Sequence, residues 1–545
     1  MTTGGEAVVE ALRVLGVTKV FGIVSVHNVP TLDAIGRSDS IDFICCRHEQ
    51  GAVHAADGYA RATGSLGVAL TSTGPGAANA MGGLFEANYA STPVLMITGQ
   101  ADSAEFGRGR GTIHQAENQL AMLRTVTKRA EHIDHADDIA ATIVSVVGDM
   151  LSGRQGPGAV EIPINMQYGS AEVGDLTIPR RRISAPPAGA VRAAADVLGR
   201  ARRPLIIAGG GVISAGASRQ LTALAERLEA PVFTTIEGRG SISERHRLAL
   251  GPNLDLSAMD PIPAAADVVL AVGTRFQQNT NVLGWLRFPG SLVHIDADPT
   301  VIGRVHTADH PIVGDARLSL EALLEIVGDH RVDEASWVET CQAVRQRVVA
   351  TSYADLGADL VAIMETIDAV LPDDCVVAKD ATISSYLWAN RWLPVVEPRT
   401  AMRPAGQAIG PGVPLGIGAA VGSGRPTVVV QGDGGLMLSV GELATAVQYD
   451  LPLIVCVFND RGYGMLKVIQ DMAVGGRYTG VDLATPDFAA MGTSFGMRSA
   501  AVSSAKEFDA AFRQALDAEG PWILDIDLTK MERMKITPQP RPVRD

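Results

Sequence analysis

Short apolar runs alternate with amphipathic stretches along most of the chain. In the N-terminal third, "KVFGIVSV", "DFICCRHE", "LGVALTST" and "TPVLMITG" are predicted to be buried strands with helices between them. The pattern restarts with "RRPLIIAGGG", "APVFTT", "ADVVLAVG" and "LVHIDAD", and again with "PTVVVQ" and "LPLIVCVF". Strands with almost no polar residue that alternate with helices are typical of parallel sheets covered on both faces. We therefore predict an α/β fold with three doubly wound parallel-sheet domains.

Two stretches without a strand pattern divide the chain. The segment "TIPRRRISAPPAGA" at 177–190 contains three prolines and a basic cluster, and a charged, helical stretch covers about 331–355. The tail "PQPRPVRD" is predicted to be mobile. A length of 545 residues fits three such units. The predicted domains span 1–176, 190–330 and 356–530.

The middle domain is predicted to be Rossmann-like, whereas the outer two domains resemble each other. The "GGGVISAG" of the middle domain departs from the G-x-G-x-x-G spacing, so it supports dinucleotide binding only weakly. The segments "STGPGAANAMGG" (72–83) and "AIGPGVPLGIG" (408–418) look alike. This likeness indicates that the first and third domains are structurally related.

Charge and composition narrow the choice of partners and compartment. A net charge of −14 argues against nucleic-acid binding by the chain as a whole. The sequence has no run of about 18 apolar residues and no signal-peptide pattern at its N-terminus, so we expect no membrane span. The five cysteines form no C-x-x-C pair. Cys45, Cys46 and Cys456 fall in apolar runs, which predicts buried free thiols and a cytoplasmic enzyme.

Acidic residues follow two neighbouring predicted strands in the C-terminal third. "GDGG" comes directly after "PTVVVQ", and Asp460 follows "LPLIVCVF", 27 positions after Asp433. Parallel strands joined by a helix end at the same edge of a sheet, so these acids should lie close together. Mg²⁺ prefers oxygen ligands and often shares them with a phosphate, which Gly434 and Gly435 would let approach the backbone. We predict a metal and diphosphate site here; the alternative is a plain turn and an ordinary loop acid.

A helix is predicted to follow this turn. Ser439 and Glu442 match the S-x-x-E capping box, in which each side chain accepts from the backbone N–H of the other residue. The helix should then continue through "ELATAVQYD".

A second motif lies in the first domain, in "CCRHEQGAVHAADGYARATG". A strand ends near Arg47 and His48, and a helix closed by Gly64 follows. Glu49 lies at the junction between them. It is either a catalytic acid or a helix-start acid favoured by the helix dipole.

Together these motifs resemble those of thiamine diphosphate enzymes. GDG followed by a helix, an apolar strand and N-[ND], together with R-H-E-x-x-A-x-x-A-x-x-G-Y-A-R, is similar to the acetolactate synthase-like branch, which includes benzaldehyde lyase, benzoylformate decarboxylase and pyruvate decarboxylase. The resemblance covers nearly the whole chain. It implies a pyrimidine-binding first domain, a diphosphate-binding third domain, and Mg²⁺ held by Asp433, Asp460 and the main-chain oxygen of Gly462.

The resemblance also implies roles around the cofactor. Glu49 would bond the pyrimidine N1′ and favour the imino tautomer that deprotonates C2, which requires a carboxyl group whose pKa is raised by burial. Ile409 would support the bent cofactor, although an ordinary core position is the alternative, and the main-chain oxygen of Gln407 would accept from the 4′-amine. The full cofactor-binding set comprises Gln407, Ile409, Ser384, Ser385, Gly432, Asp433, Gly434, Gly435, Asp460, Gly462, Tyr463, Gly464, Met465 and Leu466.

Substrate-facing residues are predicted from the first domain. His27, in "IVSVHNVPTL", falls where benzaldehyde lyase-like members carry a proton-relaying histidine. The alternative is a loop histidine satisfied by the backbone. "TIHQAENQ" adds His114 and Gln115 as pocket candidates. Met465, Leu466 and Ile469 are pocket wall or core, and "RFQQN" in place of the flavin-associated R-F-D-D-R predicts no bound FAD.

The resemblance implies an enzyme that makes or breaks a C–C bond next to a carbonyl. An acyloin-type lyase or carboligase acting on 2-oxo acids, aldehydes or 2-hydroxy ketones is the first choice, and a 2-oxo acid decarboxylase or acetolactate synthase is the alternative. In the family, the two halves of each site come from different subunits, so a homodimer is the minimum and homotetramers are usual. Hypotheses from other classes are a nicotinamide oxidoreductase using the middle domain and a non-catalytic thiamine-binding regulator.

Overall fold

The computed structural model describes residues 2–178, 183–276, 286–328 and 335–535. Within these ranges the chain forms three six-stranded parallel sheets and one small two-stranded pairing. The prediction of three α/β domains is therefore confirmed. The tail "PQPRPVRD", parts of both predicted linkers and the "QQN" of "RFQQN" lie outside the described residues. No helix in these ranges is both long and apolar enough to span a bilayer.

The first domain holds the two-stranded pairing and the first sheet. Its strands are β1 (Thr2–Thr3), β2 (Lys19–Gly22), β3 (Asp42–Cys45), β4 (Gly67–Thr71), β5 (Val94–Gln100), β6 (Arg129–His132), β7 (Gly158–Pro163) and β8 (Ser170–Ala171). Its helices are α1 (Gly4–Val14), α2 (Val29–Gly36), α3 (Glu49–Thr63), α4 (Pro75–Ala90), α5 (Gln119–Arg124), α6 (Ile139–Leu151) and α7 (Ile164–Tyr168). The sheet order is β3-β2-β4-β5-β7-β6, while β1 pairs with β8. The sequence did not predict β6 and β7, because the edge strand β6 is mostly polar and β7 carries a buried glutamate.

The middle domain has the Rossmann strand order, as predicted. Its strands are β9 (Pro204–Ala208), β10 (Val232–Thr234), β11 (Ala249–Gly251), β12 (Val268–Val272), β13 (Ser291–Asp296) and β14 (His310–Val313). Its helices are α8 (Ala188–Leu198), α9 (Gly210–Ser214), α10 (Ser218–Leu228), α11 (Pro261–Ala265) and α12 (Ala316–Ile326). The sheet order β11-β10-β9-β12-β13-β14 is the third, second, first, fourth, fifth and sixth strand of the domain.

The third domain follows a long helix, α13 (Ala335–Leu356). Its strands are β15 (Val376–Lys379), β16 (Ala401–Met402), β17 (Thr427–Gly432), β18 (Leu453–Asn459), β19 (Arg498–Val502) and β20 (Trp522–Asp527). Its helices are α14 (Ala358–Val370), α15 (Gly412–Ser423), α16 (Asp433–Ser439), α17 (Glu442–Gln448), α18 (Gly464–Val474), α19 (Phe488–Phe495) and α20 (Ala505–Leu516). A π-helix, Ser385–Ala389, lies between β15 and β16. The sheet order is β16-β15-β17-β18-β20-β19.

Strands β17 and β18 show why the apolar runs form central strands. Val428 and Val430 pack into a hydrophobic core on one face of the sheet, and Val429 packs into the core on the other face. Alternating side chains of a strand point to opposite faces, so a strand buried on both faces has no polar position. The two strands pair in parallel with Gly432 opposite Phe458, which brings their carboxyl ends together.

The first and third domains have the same strand order, so the predicted relation between them is confirmed. The two segments that looked alike are nevertheless not equivalent. Helix α4 follows β4, the third strand of its six-stranded sheet in chain order, whereas α15 follows β16, the second strand of its sheet. Helix α15 instead packs against its true counterpart, α3. A Cβ at Gly418 would overlap the carbonyl oxygen of Ala55, and a Cβ at Gly58 would overlap that of Leu415. Glycine at these positions allows the two helices to approach closely.

The predicted capping box is wrong. Helix α16 already begins at Asp433, α17 begins separately after Gly441, and the hydroxyl of Ser439 is buried without a hydrogen-bond partner. The carboxylate of Glu442 instead accepts from the backbone N–H groups of Arg47, at 3.0 Å, and His48, at 3.1 Å. This tertiary contact with the residues preceding α3 outweighs the local motif, because two backbone N–H groups of another domain compensate the buried carboxylate of Glu442.

The five cysteines are free thiols. Cys46 and Cys456 are buried as predicted, whereas Cys45 is only half-buried. Cys45 lies at the end of β3, an edge strand of its sheet, where one neighbour is missing.

Candidate functional site

Asp433 and Asp460 lie together at the carboxyl edge of the third sheet. Asp433 begins α16 directly after β17, and Asp460 directly follows β18. Asp433 accepts a hydrogen bond from the backbone N–H of Gly462 at 2.9 Å. Burial raises the pKa of both carboxyl groups, and the charge of Asp433 raises the pKa of Asp460 further. A buried and a half-buried acid that resist ionising together are an arrangement that a divalent cation would stabilise.

The predicted metal site takes oxygens from the main chain and from a bound phosphate as well as from these two acids. Among the described residues there is no cluster of three or more His, Cys, Asp or Glu side chains suited to a metal. This is compatible with the predicted set of two carboxylates and the main-chain oxygen of Gly462, with a phosphate supplying further oxygens.

Two serines that are predicted to contact the diphosphate have unpartnered hydroxyls. The hydroxyls of Ser384 and Ser385 are buried and have no hydrogen-bond partner in the described structure. A Cβ at Gly434 would lie 2.6 Å from the ring of Tyr463, so there is no room for a side chain. Buried hydroxyls without partners are rare, and a bound diphosphate would satisfy them. The residues present therefore fit the predicted group.

Asp380 is a buried acid that the sequence analysis missed. Its carboxylate accepts from the backbone N–H of Gly410, at 2.9 Å, and from the amide of Gln431, at 2.6 Å. Burial raises its pKa to about 6. A Cβ at Gly435 would overlap its carboxylate. Asp380 thus fixes the backbone on both sides of the predicted diphosphate site, and its place directly after β15, at the same sheet edge, was the signal for it.

A cavity of about 780 Å³ opens above this edge. Of the described residues that line it, none belongs to the first domain. The predicted residues that line it are Gln407, Ile409, Gly432, Asp433, Gly434, Gly435, Gly462, Tyr463, Gly464, Met465, Leu466 and Ile469. The structure therefore brings together most of the predicted cofactor-binding set, but Ser384, Ser385 and Asp460 do not line this cavity. The predicted catalytic residues do not line it either: Glu49, His27, His114 and Gln115.

Glu49 is held by helix α4 of its own domain. It is the first residue of α3, half-buried, and its carboxylate accepts from the side-chain amide of Asn79 at 3.1 Å. A Cβ at Gly76 would lie 2.8 Å from the Glu49 carboxylate. The helix α3 ends at Gly64 in the left-handed conformation, as predicted.

His27 and His114 face each other with ring centroids 5.4 Å apart. His27 is buried, and its Nδ1 has no hydrogen-bond partner in the described structure, unlike a loop histidine satisfied by the backbone. Burial, and then the proximity of His114, lowers the pKa of His27. His114 is exposed and has a φ of 60°, while the amide of Gln115 donates to the carbonyl of Glu105 at 3.3 Å.

Glu86 is a second acid that the sequence analysis missed. It lies on the buried face of α4, yet its carboxylate is bonded to the third domain, to the N–H groups of Gly406 and Ala408. These two residues flank Gln407, which has a φ of 68°. The available signal was an acid at a core-facing position of an otherwise apolar helix.

A second cavity, of about 380 Å³, lies beside the middle sheet and shares Gln407 with the first. Its lining includes Gly210 and Arg275. The glycines of "GGGVISAG" have a packing explanation, because a Cβ at Gly211 would lie 2.6 Å from the backbone of Gly273.

Family models match all three domains. The thiamine pyrophosphate enzyme N-terminal TPP binding domain matches residues 2–122, the central domain matches 191–323, and the C-terminal TPP binding domain matches 383–526.

Similar proteins cover almost the full chain. A probable acetolactate synthase large subunit of Methanocaldococcus jannaschii is 32% identical over 98% of this chain and 93% of its own. A probable 2-ketoarginine decarboxylase of Pseudomonas aeruginosa is 34% identical over 96% of this chain and 94% of its own. The acetolactate synthase isozyme 3 large subunit of Escherichia coli is 32% identical over 95% of this chain and 92% of its own.

Proposed function

The chain belongs to the thiamine pyrophosphate enzyme family, in its acetolactate synthase-like branch, and from this premise we propose that it is an acyloin-type lyase or carboligase that requires Mg²⁺. It is a thiamine diphosphate-dependent enzyme that makes or breaks a C–C bond next to a carbonyl. The observation that carries the lyase or carboligase proposal is His27, a buried histidine with an unpartnered Nδ1 beside His114.

The third domain would hold the metal and the diphosphate. Asp433, Asp460 and the carbonyl of Gly462 would bind Mg²⁺, and Ser384 and Ser385 would donate to the diphosphate. When bound, thiamine diphosphate supplies the nucleophilic carbon that adds to a substrate carbonyl. The unpartnered hydroxyls and the pair of adjacent acids support this assignment.

Glu49 would hold a proton at the pyrimidine N1′ of the cofactor, and His27 would move a proton to or from the substrate oxygen. A neutral imidazole can accept a hydroxyl proton, and the lowered pKa of His27 keeps it neutral near pH 7. Cleavage of a 2-hydroxy ketone must deprotonate a hydroxyl group, so it needs such a base.

We propose that the active unit is at least a homodimer, with tetramers as in the family. The cavity around Asp433 lacks first-domain residues among those described, so Glu49 would come from a second copy. Exposed apolar side chains support this arrangement: Val26 is 61% exposed near His27, Ile113 is 63% exposed next to His114, and Leu438 on α16 is 63% exposed. A second subunit would cover these side chains and bury Glu49.

A 2-oxo acid decarboxylase or acetolactate synthase is the second candidate. It is favoured by the similarity to the probable 2-ketoarginine decarboxylase and to the acetolactate synthases. Decarboxylation does not require a base for a substrate hydroxyl, so it does not explain the arrangement of His27.

The test is to incubate the holoenzyme with a panel of 2-oxo acids, aldehydes and 2-hydroxy ketones and to identify products by mass spectrometry. Cleavage of a 2-hydroxy ketone to aldehydes, or its formation from them, is the expected result. Aldehyde and CO₂ from 2-oxo acids without any ligation would favour a decarboxylase, and acetolactate from pyruvate would favour a synthase. No turnover of any of these compounds would contradict both candidates.

A further inference from the structure

The turn Gly406–Ala408 has an unusual backbone conformation. Gln407 has a φ of 68°, in the left-handed region that residues with a side chain rarely adopt. Such a conformation persists only where the surrounding structure imposes it, and it is concentrated at functional sites. Gln407 also lines both the cavity of about 780 Å³ and the cavity of about 380 Å³, so the turn lies between them.

The carboxylate of Glu86 holds this turn from both sides. One oxygen accepts from the N–H of Gly406 at 2.6 Å, and the other accepts from the N–H of Ala408 at 2.8 Å. A Cβ at Gly406 would lie 2.8 Å from the carboxylate, so position 406 has to be glycine for the contact to form. The two bonds fix the peptide group before Gly406 and the one after Gln407. The peptide group between them is held by the N–H of Gln407, which donates to the carbonyl of Pro404 at 3.2 Å, so all three peptide groups of the turn are fixed and with them φ of Gln407.

The burial of Glu86 indicates that this contact is its main role. The residue is 1% exposed, and within the described residues no cationic side chain forms an ion pair with it. Burial raises the pKa of Glu86, whereas the hydrogen bonds from Ala408 and Gly406 lower it; Asp57 raises it and Arg61 lowers it through their charges. A buried carboxylate without a salt bridge is costly unless hydrogen bonds compensate it. Here the two backbone N–H groups of the turn provide them.

The side chain of Gln407 is held as well. Its amide oxygen accepts from the hydroxyl of Tyr386 at 3.3 Å. Tyr386 belongs to the π-helix Ser385–Ala389, a wider helical turn that is frequent at functional sites, and it lines the larger cavity. Both the backbone and the side chain of Gln407 are therefore set before any ligand binds.

We propose that Glu86 is a positioning residue that sets the left-handed turn at Gln407 and thereby aims the main-chain oxygen of Gln407 at the aminopyrimidine of the cofactor. The inference rests on the proposed function for the identity of the ligand, but the turn itself can be tested without it. Glu86 acts through Gln407 and lies too deep in the domain interface to be the acid that bonds the cofactor.

The test uses the full-length protein and the variants Glu86→Gln, Gln407→Gly and their combination. An amide side chain has only one acceptor oxygen, so Glu86→Gln leaves one N–H of the turn facing an NH₂ group. Hydrogen exchange at the amides of Gly406 and Ala408 in the cofactor-free protein should accelerate by at least about tenfold. The dissociation constant for thiamine diphosphate with Mg²⁺ should rise by a similar factor of about ten.

The rescue separates positioning from general stability. Glycine adopts a positive φ without strain, so Gln407→Gly in the Glu86→Gln background should recover most of the lost cofactor affinity. Glu442→Gln is the matched control, because Glu442 is also a buried glutamate that accepts from two backbone N–H groups, but in another interface. It should leave exchange at Gly406 and Ala408 unchanged.

The remaining outcomes are also decisive. Unchanged exchange in Glu86→Gln, or weakened binding that Gln407→Gly does not rescue, would overturn the proposal. If Glu86→Gln does not fold, Gly406→Ala tests the same contact, since its Cβ would push the carboxylate away, and it should give the same two changes. If the wild type binds no thiamine diphosphate, the proposed function fails, whereas the exchange data still decide whether Glu86 sets the turn.

Discussion

Strand for strand, the first and third domains follow the same order, yet the carboxyl edges of their sheets carry different chemical groups. After the second strand, the first domain has Glu49 and the third has the turn at Gln407. After the third strand, the first domain begins α4 with Pro75, whereas the third begins α16 with Asp433. Equivalent positions thus carry the acid proposed to transfer a proton in one domain, and the groups proposed to bind the metal or contact the cofactor in the other.

Both domains contain an acid–amide pair of side chains at the end of the fourth strand of the sheet, counted in chain order. Glu161 in β7 and Asp525 in β20 are the fourth residues of equivalent strands, opposite Thr98 and Val457 respectively. Glu161 accepts from the amide of Gln100 at 3.3 Å, and Asp525 accepts from the amide of Asn459 at 3.1 Å. Gln100 and Asn459 end the equivalent fourth strands.

The two domains share a strand order and an acid–amide pair but differ in the residues at the carboxyl edges of their sheets, so the sheet and its edge residues vary separately. The acid–amide pair braces the end of the fourth strand in each domain, which is where a ligand-binding loop begins. In the proposed function, the residues beyond the strand ends decide whether a loop binds the metal or carries the catalytic acid. Four predictions test this division of roles.

Asp433→Ala should have the largest effect, because it removes the proposed metal ligand that distinguishes the third domain. The dissociation constant for thiamine diphosphate with Mg²⁺ should rise by at least about 100-fold, and excess Mg²⁺ should restore binding only in part. Isothermal titration calorimetry measures both effects. Asp471→Ala, at an acid of α18 bonded to Tyr478, is the control and should change binding by less than about twofold. Stoichiometric cofactor in purified Asp433→Ala would show that the metal site is misplaced.

Glu49→Gln should remove the proton transfer proposed for the first domain and leave cofactor binding by the third domain intact. Turnover should fall by roughly 10²–10⁴, because glutamine keeps the shape but has no proton to exchange with N1′. Cofactor binding should change little. Steady-state kinetics and calorimetry separate the two, and Glu10→Gln, an exposed acid paired with Arg13, should behave as the wild type. Near-normal turnover in Glu49→Gln would contradict the assignment.

His27→Ala should distinguish the two candidate reactions. Acyloin cleavage or formation should fall by at least about tenfold, a loss typical of a positioned acid–base group, while decarboxylation of any accepted 2-oxo acid should change much less. Product formation rates for both reactions in one preparation are the measurement. Equal losses would instead indicate that His27 shapes the loop, and no loss would move the preference to the decarboxylase.

The sequence was sufficient to predict the three α/β domains, many of their central strands, and the meeting of Asp433 and Asp460 at one sheet edge. The runs "PTVVVQ" and "LPLIVCVF" became β17 and β18 because strands buried on both faces leave a continuous apolar signal. Asp433 and Asp460 meet because parallel strands end at one edge, a rule that needs no knowledge of side-chain packing. The polar edge strand β6 left no such signal.

Contacts between domains could not be predicted in the same way. Glu86 bonds Gly406, 320 positions away, and Glu442 bonds His48, 394 positions away. In both cases the partner is a backbone N–H, which every residue except proline carries, so no pattern of residue types marks it. The S-x-x-E pattern at Ser439 and Glu442 failed for the same reason, since two distant backbone donors replaced the local one.

The smallest expected effect concerns a pH-dependent contact that the first domain has and the third lacks. His132 lies opposite Glu161, and its Nδ1 is 2.7 Å from that carboxylate; the equivalent position opposite Asp525 is Ala501. The hydrogen bond with Glu161 is the main cause of the raised pKa of His132. The protonated form is therefore favoured in the folded state, so the stabilisation is complete below the ordinary histidine pKa of about 6.5 and is lost as the pH rises through the raised value.

Urea titrations between about pH 6 and 8.5 measure the free energy of unfolding of the wild type and of His132→Ala. As the pH rises, the wild-type value should fall relative to the value of His132→Ala by no more than about 1 kcal/mol, since the pair is partly exposed and screened. Ala501→His should introduce a similar pH dependence into the third domain. Parallel curves for the wild type and His132→Ala across this range would show that the pair contributes nothing measurable, and the difference between the two domains at this position would then be one of sequence only.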